Sequence, residues 1–459
     1  MRNPSLLTVG VLCLSVTLAA CSSSEKRENY ANLAQQELSA IGDNKSSQWY
    51  KIDNVAAVSF LTDLIADPQL EDLITQALEA NPSLQKTQLT LQASLWSIKS
   101  QHGDSLPSVE AGFSGSKSEG SKTKYTADLG ISWEADLWQK LAQSEQSAAK
   151  SLASDEAIFQ ASRDTLVANV IKSWLAITAK QHAINIEQKR LTLLEANEKL
   201  ILKRFRNGLG DLEELDESRT SVSQSKSDLV EYKENLAIEI RNLQLYLGRN
   251  DALSFIANTN YPDVSLSFQN MPIQNLQRRP DLKAAYLAIE AADLNTSVAY
   301  KDMLPSISLS ATLSETAESP RAALFGSPIW SLLAQITQPL YKGGQLKAAA
   351  EIAKLETAKA YQDYRDTLLT AVNEVENTLG QEHVLSLQEQ HIRDALNSSK
   401  KNLSQYEKKY RTGLIEINDL IDAQTTTYDL EAQLDDIIYQ HLSNRVDLGL
   451  ALGLGVDKQ

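Results

Sequence analysis

Hydrophobic residues recur at every third or fourth position over two unusually long stretches of this 459-residue chain. From about Lys140 to Arg206 neither proline nor glycine interrupts the pattern, and from Gln345 to Thr412 only Gly380 does. This spacing predicts α-helices, and at about 1.5 Å per residue each would extend roughly 100 Å. Helices of that length exceed a globular domain, so the pattern predicts a coiled coil or a helical barrel.

A glycine-containing turn and a shorter helical pattern follow each long helix. The first turn carries Gly208 and the second carries Gly413, and the shorter patterns run over about 212–247 and 416–450. Glycine at a helix C-cap adopts a positive φ without the strain that a Cβ causes. Aligning the two glycines also aligns a Leu-Gly pair near the end of each shorter pattern. The chain is therefore predicted to be a duplicated unit.

Alternating apolar and polar residues precede each long helix. Residues 106–135 and 304–341 each have apolar residues at every second position on both sides of a polar loop, which predicts two β-hairpins. The loop of the second hairpin is expected over 314–327. Each hairpin begins with Leu-Pro-Ser. One face of each is apolar, and the other carries mostly serine, threonine, glycine and acidic residues.

A further short helix is predicted before the first hairpin, from Leu70 to about Lys99, with a kink or a restart at Asn81 where Pro82 follows. Arg279 and Pro280 stand at the corresponding place in the second half. Neither short helix of a half matches the long helix in length, but two short helices laid end to end nearly do. We therefore expect each long helix to be flanked by two stacked short ones.

The N-terminus has the features of a bacterial lipoprotein signal. One basic residue precedes an apolar stretch that is too short to span a bilayer, and Leu-Ala-Ala-Cys ends at Cys21. This motif resembles a lipobox and predicts cleavage of residues 1–20 with lipidation of Cys21. The alternative is an ordinary secretory signal with an incidental cysteine. The polar segment 21–66 is expected to be an extended tether.

The net charge of -15 argues against nucleic acid as a partner. Four strands are too few for a membrane barrel, which needs about eight or more. An open sheet edge cannot face lipid, because its N–H and C=O groups would lack partners. Three chains would supply about twelve strands. We therefore expect the strands of three chains to form one shared barrel. The alternative is a soluble hairpin cap on a coiled coil.

Taken together, the duplication, the Leu-Pro-Ser junctions, the glycine-containing tips and the lipobox resemble the TolC-like outer-membrane efflux factors, in particular their NodT-type lipoprotein branch. The run DPQLEDLITQALEANPSL at 67–84 supports the same resemblance. The family implies an α+β membrane protein, mainly α, in which long helical hairpins form a periplasmic α-barrel. It also implies a homotrimer, in which four strands per chain complete a 12-stranded β-barrel of the kind described for membrane proteins.

The resemblance divides the chain into two efflux-protein repeats. The expected boundaries are a signal peptide at 1–20, a lipidated tether at 21–66, a first repeat at 67–249, a linker at 250–279, a second repeat at 280–453 and a tail at 454–459. The first repeat holds the hairpin at 106–135 and the long helix at 140–206. The second holds the hairpin at 304–341 and the long helix at 345–412.

The family also implies a gate at the periplasmic tip of the second repeat. Asp419 and Asp422 lie three residues apart, hence on one helix face, and resemble the paired aspartates that narrow such ducts. Tyr410 matches a tyrosine of the family's closed state. In the family, that tyrosine and an arginine tie neighbouring helices shut. Here Ile415 occupies the place of the arginine, and Arg411 and Arg206 are candidates to replace it. The alternative is a solvated acidic face beside a helix N-terminus.

By the same resemblance, the tips around Gly208-Leu209 and Gly413-Leu414 are expected to contact a periplasmic adaptor, which joins the duct to an inner-membrane pump of RND type. The implied function is export of drugs or other toxic small molecules across the outer membrane. Open alternatives are an exit duct for type I protein secretion and a structural coiled-coil lipoprotein without a pore.

No catalytic motif is found, and neither a metal nor a cofactor is expected beyond the lipid on Cys21.

Overall fold

Two antiparallel helical hairpins and a four-stranded sheet dominate the computed structural model, which describes residues 28–45, 60–251, 261–262 and 276–456. The predicted signal peptide, Cys21, most of the 250–279 linker and the last residues of the tail lie outside this range. In chain order the elements are α1 (Tyr30–Lys45), a 3-10 helix (Leu61–Leu64), α2 (Pro68–Ala80), α3 (Pro82–Gly103), β1 (Ser108–Ser116), β2 (Lys124–Glu134), α4 (Lys140–Arg206), α5 (Leu212–Tyr246), α6 (Pro280–Lys301), β3 (Ser306–Ala317), α7 (Pro320–Phe325), β4 (Ile329–Thr337), α8 (Gln345–Arg411) and α9 (Ile417–Ala451).

The two predicted long helices are confirmed. Helices α4 and α8 contain 67 residues each, and Gly380 does not interrupt α8. Each turns at its tip into a shorter antiparallel helix of 35 residues, α5 or α9. Within the described residues, none of the helices combines the length with the apolar character that crossing a lipid bilayer requires.

The first pair of short helices meets end to end at Asn81, as expected. The Asn81 side chain accepts a hydrogen bond from the N–H of Leu84 (3.0 Å) in the first turn of α3. Its amide nitrogen donates to the carbonyl oxygen of Tyr246 (2.9 Å), the last residue of α5. Gly248 lies against the same junction with φ +65°. One side chain thus caps the start of one helix and the end of the other.

Arg279 forms the corresponding junction in the second half. Its guanidinium donates to the carbonyl oxygen of Ala451 (3.1 Å) at the end of α9. It also forms ion pairs with Asp281 (2.7 Å) at the start of α6 and with Glu374 (2.8 Å) on α8. The side chain of Arg279 is only 10% exposed. Two different residues therefore join the short helices at equivalent places in the duplicated chain.

The main hydrophobic core lies beside these two junctions, where α2, α4, α6, α8 and α9 meet. Trp174 of α4 is fully buried there. The last described residues pack on the same region: the N–H of Val456 donates to Asp164 (2.9 Å), and the N–H of Leu61 donates to the carbonyl oxygen of Gly455 (3.0 Å). Burial raises the pKa of Asp164.

The four strands form one antiparallel sheet in the order β1-β2-β3-β4, so β1 and β4 are its edges. The pairing register places Ala111, Leu129 and Leu313 on one face and Glu110, Gly130 and Thr312 on the other. The predicted apolar and polar faces are therefore confirmed. At the end of the sheet near the helices, Trp133 and Trp138 donate their indole N–H groups to backbone carbonyls.

The extended tether expected over 21–66 is wrong for its described part. Residues 30–45 form α1, which packs on α6 and α8, with Ala34 fully buried. Glu37 pairs with Arg365 (2.9 Å), and the rings of Tyr30 and Tyr361 lie 5.2 Å apart. The segment is mostly polar, so its few apolar residues at helical spacing were too weak a signal to predict a helix. Their contacts with α6 and α8 stabilise it.

The simple loop expected over 314–327 is also wrong. Strand β3 continues to Ala317, and the short helix α7 follows before β4. Ser319 is the N-cap of α7 and Pro320 is its first residue, an arrangement that favours a helix start.

A buried cluster of charges ties α8 to α9. The two ring nitrogens of His441 lie 3.0 Å from Glu389 and 2.9 Å from Glu382. Only the imidazolium donates from both nitrogens, and the hydrogen bond with Glu382, reinforced by that with Glu389, raises the pKa of His441. Arg445 pairs with the same Glu382 (2.9 Å). In the sequence this histidine has no ligand-like spacing, and the structure places it between helices.

Replacing Gly248 with alanine is expected to destabilise the protein more than replacing Gly208. Both glycines have positive φ, 65° and 72°, so each substitution incurs a backbone strain of about 1–2 kcal/mol. A Cβ at position 248 would also lie 2.3 Å from the carbonyl oxygen of Ala80, whereas one at position 208 meets nothing within 4 Å. The clash adds about 1 kcal/mol or more.

Thermal or urea unfolding of the two purified variants measures this difference. Equal losses of stability would contradict a close contact between α5 and the α2–α3 junction.

Candidate functional site at the helical tips

The two helical tips have the same backbone geometry. Gly208 and Gly413 both have φ +72°. In each turn the following leucine, Leu209 or Leu414, donates its N–H to a carbonyl five residues earlier at 2.9 Å. This is a Schellman-type C-cap, and it requires the positive φ that glycine adopts without strain. The glycine turns predicted from the sequence are therefore present in both halves.

Each tip presents an apolar side chain to solvent. Leu209 is 67% exposed and Leu414 is 73% exposed. Neither belongs to the apolar cluster behind the tips. The side chain of Arg204 donates to the carbonyl oxygen of Leu209 (3.2 Å), which helps to hold the first turn. The tips are thus ordered turns that carry exposed leucines, a form suited to contact with another protein.

A small apolar cluster joins the two hairpins just behind their tips. Its buried members come from α4, α5 and α9 and are Ile201, Leu215, Ile417 and Leu420. Tyr410 and Ile415 pack against it, both partly buried. Ile415, at the place of the family's arginine, thus adds apolar contact to this cluster. Arg206 and Arg411 are exposed at the tips.

The two predicted gate carboxylates occupy the same exposed face of α9, in its first two turns. Asp419 accepts a hydrogen bond from the N–H of Glu416, the N-cap residue (3.1 Å), so it also stabilises the helix start. Asp422 is exposed one turn further along. A single chain brings two carboxylates together here, and their assignment to a gate stays a prediction.

A series of polar contacts connects α4 to α9 along the rest of the hairpin interface, and sequence patterns did not predict it. The four contacts, ordered from the tip towards the sheet, are Asn197 with Gln424 (3.1 Å), Arg190 with Asp429, His182 with Asp435 (2.8 Å) and Lys172 with Asp447 (2.7 Å). Opposite charges on the two helices were visible in the sequence, but their pairing depends on which helices are neighbours.

Tyr261, in the linker between the repeats, touches this interface. The hydroxyl of Tyr261 donates to Asp435 (3.0 Å), and its ring meets the His182 ring edge-on, 4.8 Å between centroids. Burial raises the pKa of Tyr261. Tyr261 thus packs against both hairpins at the point where His182 and Asp435 join them.

Comparison with known proteins identifies the family of this architecture. The family model for outer membrane efflux proteins matches residues 73–249 and 271–454. The chain belongs to this family. It is an outer membrane component of an efflux system, and its fold is the TolC-like fold expected from the sequence.

Individual relatives agree with this identification. Outer membrane protein OprJ of Pseudomonas aeruginosa is 26% identical over 476 residues, covering 100% of this chain and 98% of OprJ. The probable outer membrane lipoprotein SilC of Salmonella typhimurium is 25% identical and covers 85% of this chain and 86% of SilC. The crystal structure of the Campylobacter jejuni CmeC outer membrane channel matches with a TM-score of 0.81 at 20% identity, over 90% of this chain and 91% of CmeC.

Substitutions at Asp419 and Asp422 should separate helix capping from charge. Asp419→Ala removes the acceptor for the Glu416 N–H and is expected to reduce the stability of the first turn of α9 by about 1 kcal/mol. Asp422→Ala leaves that hydrogen bond intact. Hydrogen–deuterium exchange over 416–422 should therefore rise in the first variant alone.

Asp419→Asn is the matched control, because the asparagine oxygen still accepts the hydrogen bond. Faster exchange in Asp422→Ala than in Asp419→Ala would contradict the capping role.

Proposed function

We propose that three copies of this chain form a passive exit duct that is closed and opened at its periplasmic tips and that carries small molecules out of the cell for an inner-membrane pump of RND type. A periplasmic adaptor joins duct and pump. The duct catalyses no covalent reaction; the pump supplies the energy. The observation that carries this proposal is a sheet whose two edges are open on a chain of the outer membrane efflux protein family.

The strands support assembly with further copies. Edge strands β1 and β4 each present unpaired backbone groups along one side, and such groups have no partner in lipid. The apolar face of the sheet suits contact with acyl chains, and the polar face suits a water-filled interior. Joining β1 of one copy to β4 of the next satisfies both edges and closes the sheet around three copies.

The helices follow the same order as the strands. Near the sheet the neighbours are α3, α4, α6 and α8, and near the tips they are α5, α4, α9 and α8. The end-to-end pair α3 and α5 therefore forms one edge of the layer, and α8 forms the other. Both edges expose large apolar residues, which are Leu89 and Trp96 on α3, Val230 and Leu245 on α5, and Ile352, Leu355 and Leu369 on α8. Contact between these edges in neighbouring copies would bury them.

The same arrangement brings the predicted gate residues of the three copies together. With α9 repeated around an axis, Asp419 and Asp422 of each copy form a ring of like charges, which favours cations and disfavours anions. A divalent cation bound between the carboxylates would relieve the repulsion within the ring. Tyr410 lies at the adjoining apolar cluster and restrains the hairpin tips in the closed form.

The lipid on Cys21 would anchor the N-terminus beside the membrane-embedded sheet. Eight residues separate Cys21 from Tyr30, the first residue of α1, and the ring of Tyr30 lies against that of Tyr361 in the sheet-proximal half of α8. A chain segment of this length spans at most about 30 Å, so the acylated residue stays within that distance of Tyr30. Membrane attachment therefore has two parts, the strands and the acyl chains.

The decisive experiment removes the gate charges without removing the cap. A double variant, Asp419→Asn with Asp422→Asn, should raise single-channel conductance in planar bilayers by about twofold or more and weaken the block by divalent cations, because the charged ring is gone. Glu213→Gln with Glu217→Gln on the first tip removes the same number of charges and serves as the control. Conductance and block unchanged from the parent would remove the gate assignment.

Docking of the adaptor is tested at the exposed leucines. Leu209→Asp and Leu414→Asp introduce a charge where a partner protein would exclude water, so both should abolish drug resistance while the trimer remains intact in detergent. Leu209→Met and Leu414→Met are the controls and should retain resistance. Resistance retained by the aspartate variants would argue against docking at the tips.

A further inference from the structure

The short helix α7 lies on the apolar side of the sheet, at the end remote from the long helices. It packs against β2 and β3. A Cβ built at Gly326, directly after α7, would lie 3.2 Å from the side chain of Glu315. Glu315 is two residues from Leu313 on β3 and therefore shares its apolar face. Helix α7 thus covers the outer rim of the surface that is proposed to face lipid.

The local sequence holds α7 in one position. Ser319 accepts a hydrogen bond from the N–H of Ala322 (3.4 Å). At the other end, any side chain at Gly326 would collide with the carbonyl oxygen of Ala322, which lies 2.5 Å from the ideal Cβ. An ion pair between Lys122 and Glu318 (2.7 Å) connects the residues just before α7 to the loop between β1 and β2. Residues 318–326 therefore form an ordered part of the rim.

The outward side of α7 combines a cation with large apolar groups. Ala323 is 2% exposed and faces the sheet. At about 100° per residue, Arg321 and Phe325 lie on the opposite side. Phe325 is 82% exposed and Leu324 is 54% exposed. Exposed groups of this kind on one short helix suit a partner that accepts both apolar and cationic side chains.

The position of α7 selects the membrane as that partner. A neighbouring copy would meet the edge strands β1 and β4, whereas α7 lies over β2 and β3 in the middle of the sheet. Its surface continues the apolar face of the sheet. Glu318, the nearest acidic residue before the helix, is already paired with Lys122, so Arg321 is left to attract anions.

We propose that α7 is an interfacial anchor: Leu324 and Phe325 insert among the acyl chains of the outer leaflet, and Arg321 binds the phosphate groups of anionic lipids there. This inference rests on the proposed lipid-facing orientation of the sheet. An interfacial helix of this kind buries its apolar groups about 5–10 Å into the headgroup boundary. It would fix the depth of the duct in the membrane at the rim opposite to the lipid on Cys21.

Tryptophan quenching tests this proposal. The full-length protein is reconstituted into vesicles of phosphatidylcholine and phosphatidylglycerol with acyl chains brominated near the headgroup. Phe325→Trp adds a reporter on α7, and Ser118→Trp adds one on the exposed loop between β1 and β2 at the same rim. The emission added at position 325 should be quenched at least about twofold more strongly than that added at position 118. Equal quenching overturns the anchor.

The charge is tested in the Phe325→Trp background. Arg321→Glu should shift the added emission to longer wavelength in vesicles with phosphatidylglycerol, and Arg321→Lys should not. An unchanged spectrum in Arg321→Glu overturns the phosphate contact.

The parent protein separates this proposal from the one on which it rests, because Trp330 lies on the apolar face of β4 and is 75% exposed. Native emission that brominated lipid fails to quench would overturn the orientation of the sheet itself.

Discussion

The structure depends on the hydrogen-bonding requirement of four strands that have two open edges. In lipid, unpaired N–H and C=O groups have no alternative partner, and a sheet of four antiparallel strands cannot pair its own first and last strand. Assembly with further copies is therefore a condition for insertion into a membrane. Because each strand leads directly into or out of a helix of the layer, the same requirement sets the order of the helices. The edges of the sheet and the edges of the helical layer coincide.

The second constraint is the matching of helix lengths, and it acts at the two junctions. A long helix needs a neighbour over its whole length, and each half of the chain supplies that neighbour in two pieces. Asn81 joins the pieces in the first half by capping both helix ends. Arg279 does so in the second half with a charge that is shared between a carbonyl and two carboxylates. The duplicated sequences have diverged at this position, yet both side chains satisfy the terminal carbonyl groups of a shorter helix.

Much of this fold was predictable because its signals are local or periodic. The long helices, the hairpins with one apolar face and the turns at Gly208 and Gly413 follow from spacing that is visible in the sequence. The errors, α1 and α7, concern short polar segments whose helices depend on tertiary contacts or on one capping serine. At the tips, the exposed positions of Asp419 and Asp422 agree with the expected helix face. The capping bond of Asp419 and the contacts between α4 and α9 depend on distant partners, which periodicity does not identify.

Equal helix lengths have a consequence for symmetry. Both long helices contain 67 residues and both shorter ones contain 35, so the two tips of one chain end at the same level and repeat one backbone geometry. Three copies would then present a flat rim with six nearly equivalent helical tips. A binding partner that recognises one tip encounters the same backbone shape at each sixty-degree step around the axis. The differences between the two repeats are then confined to side chains.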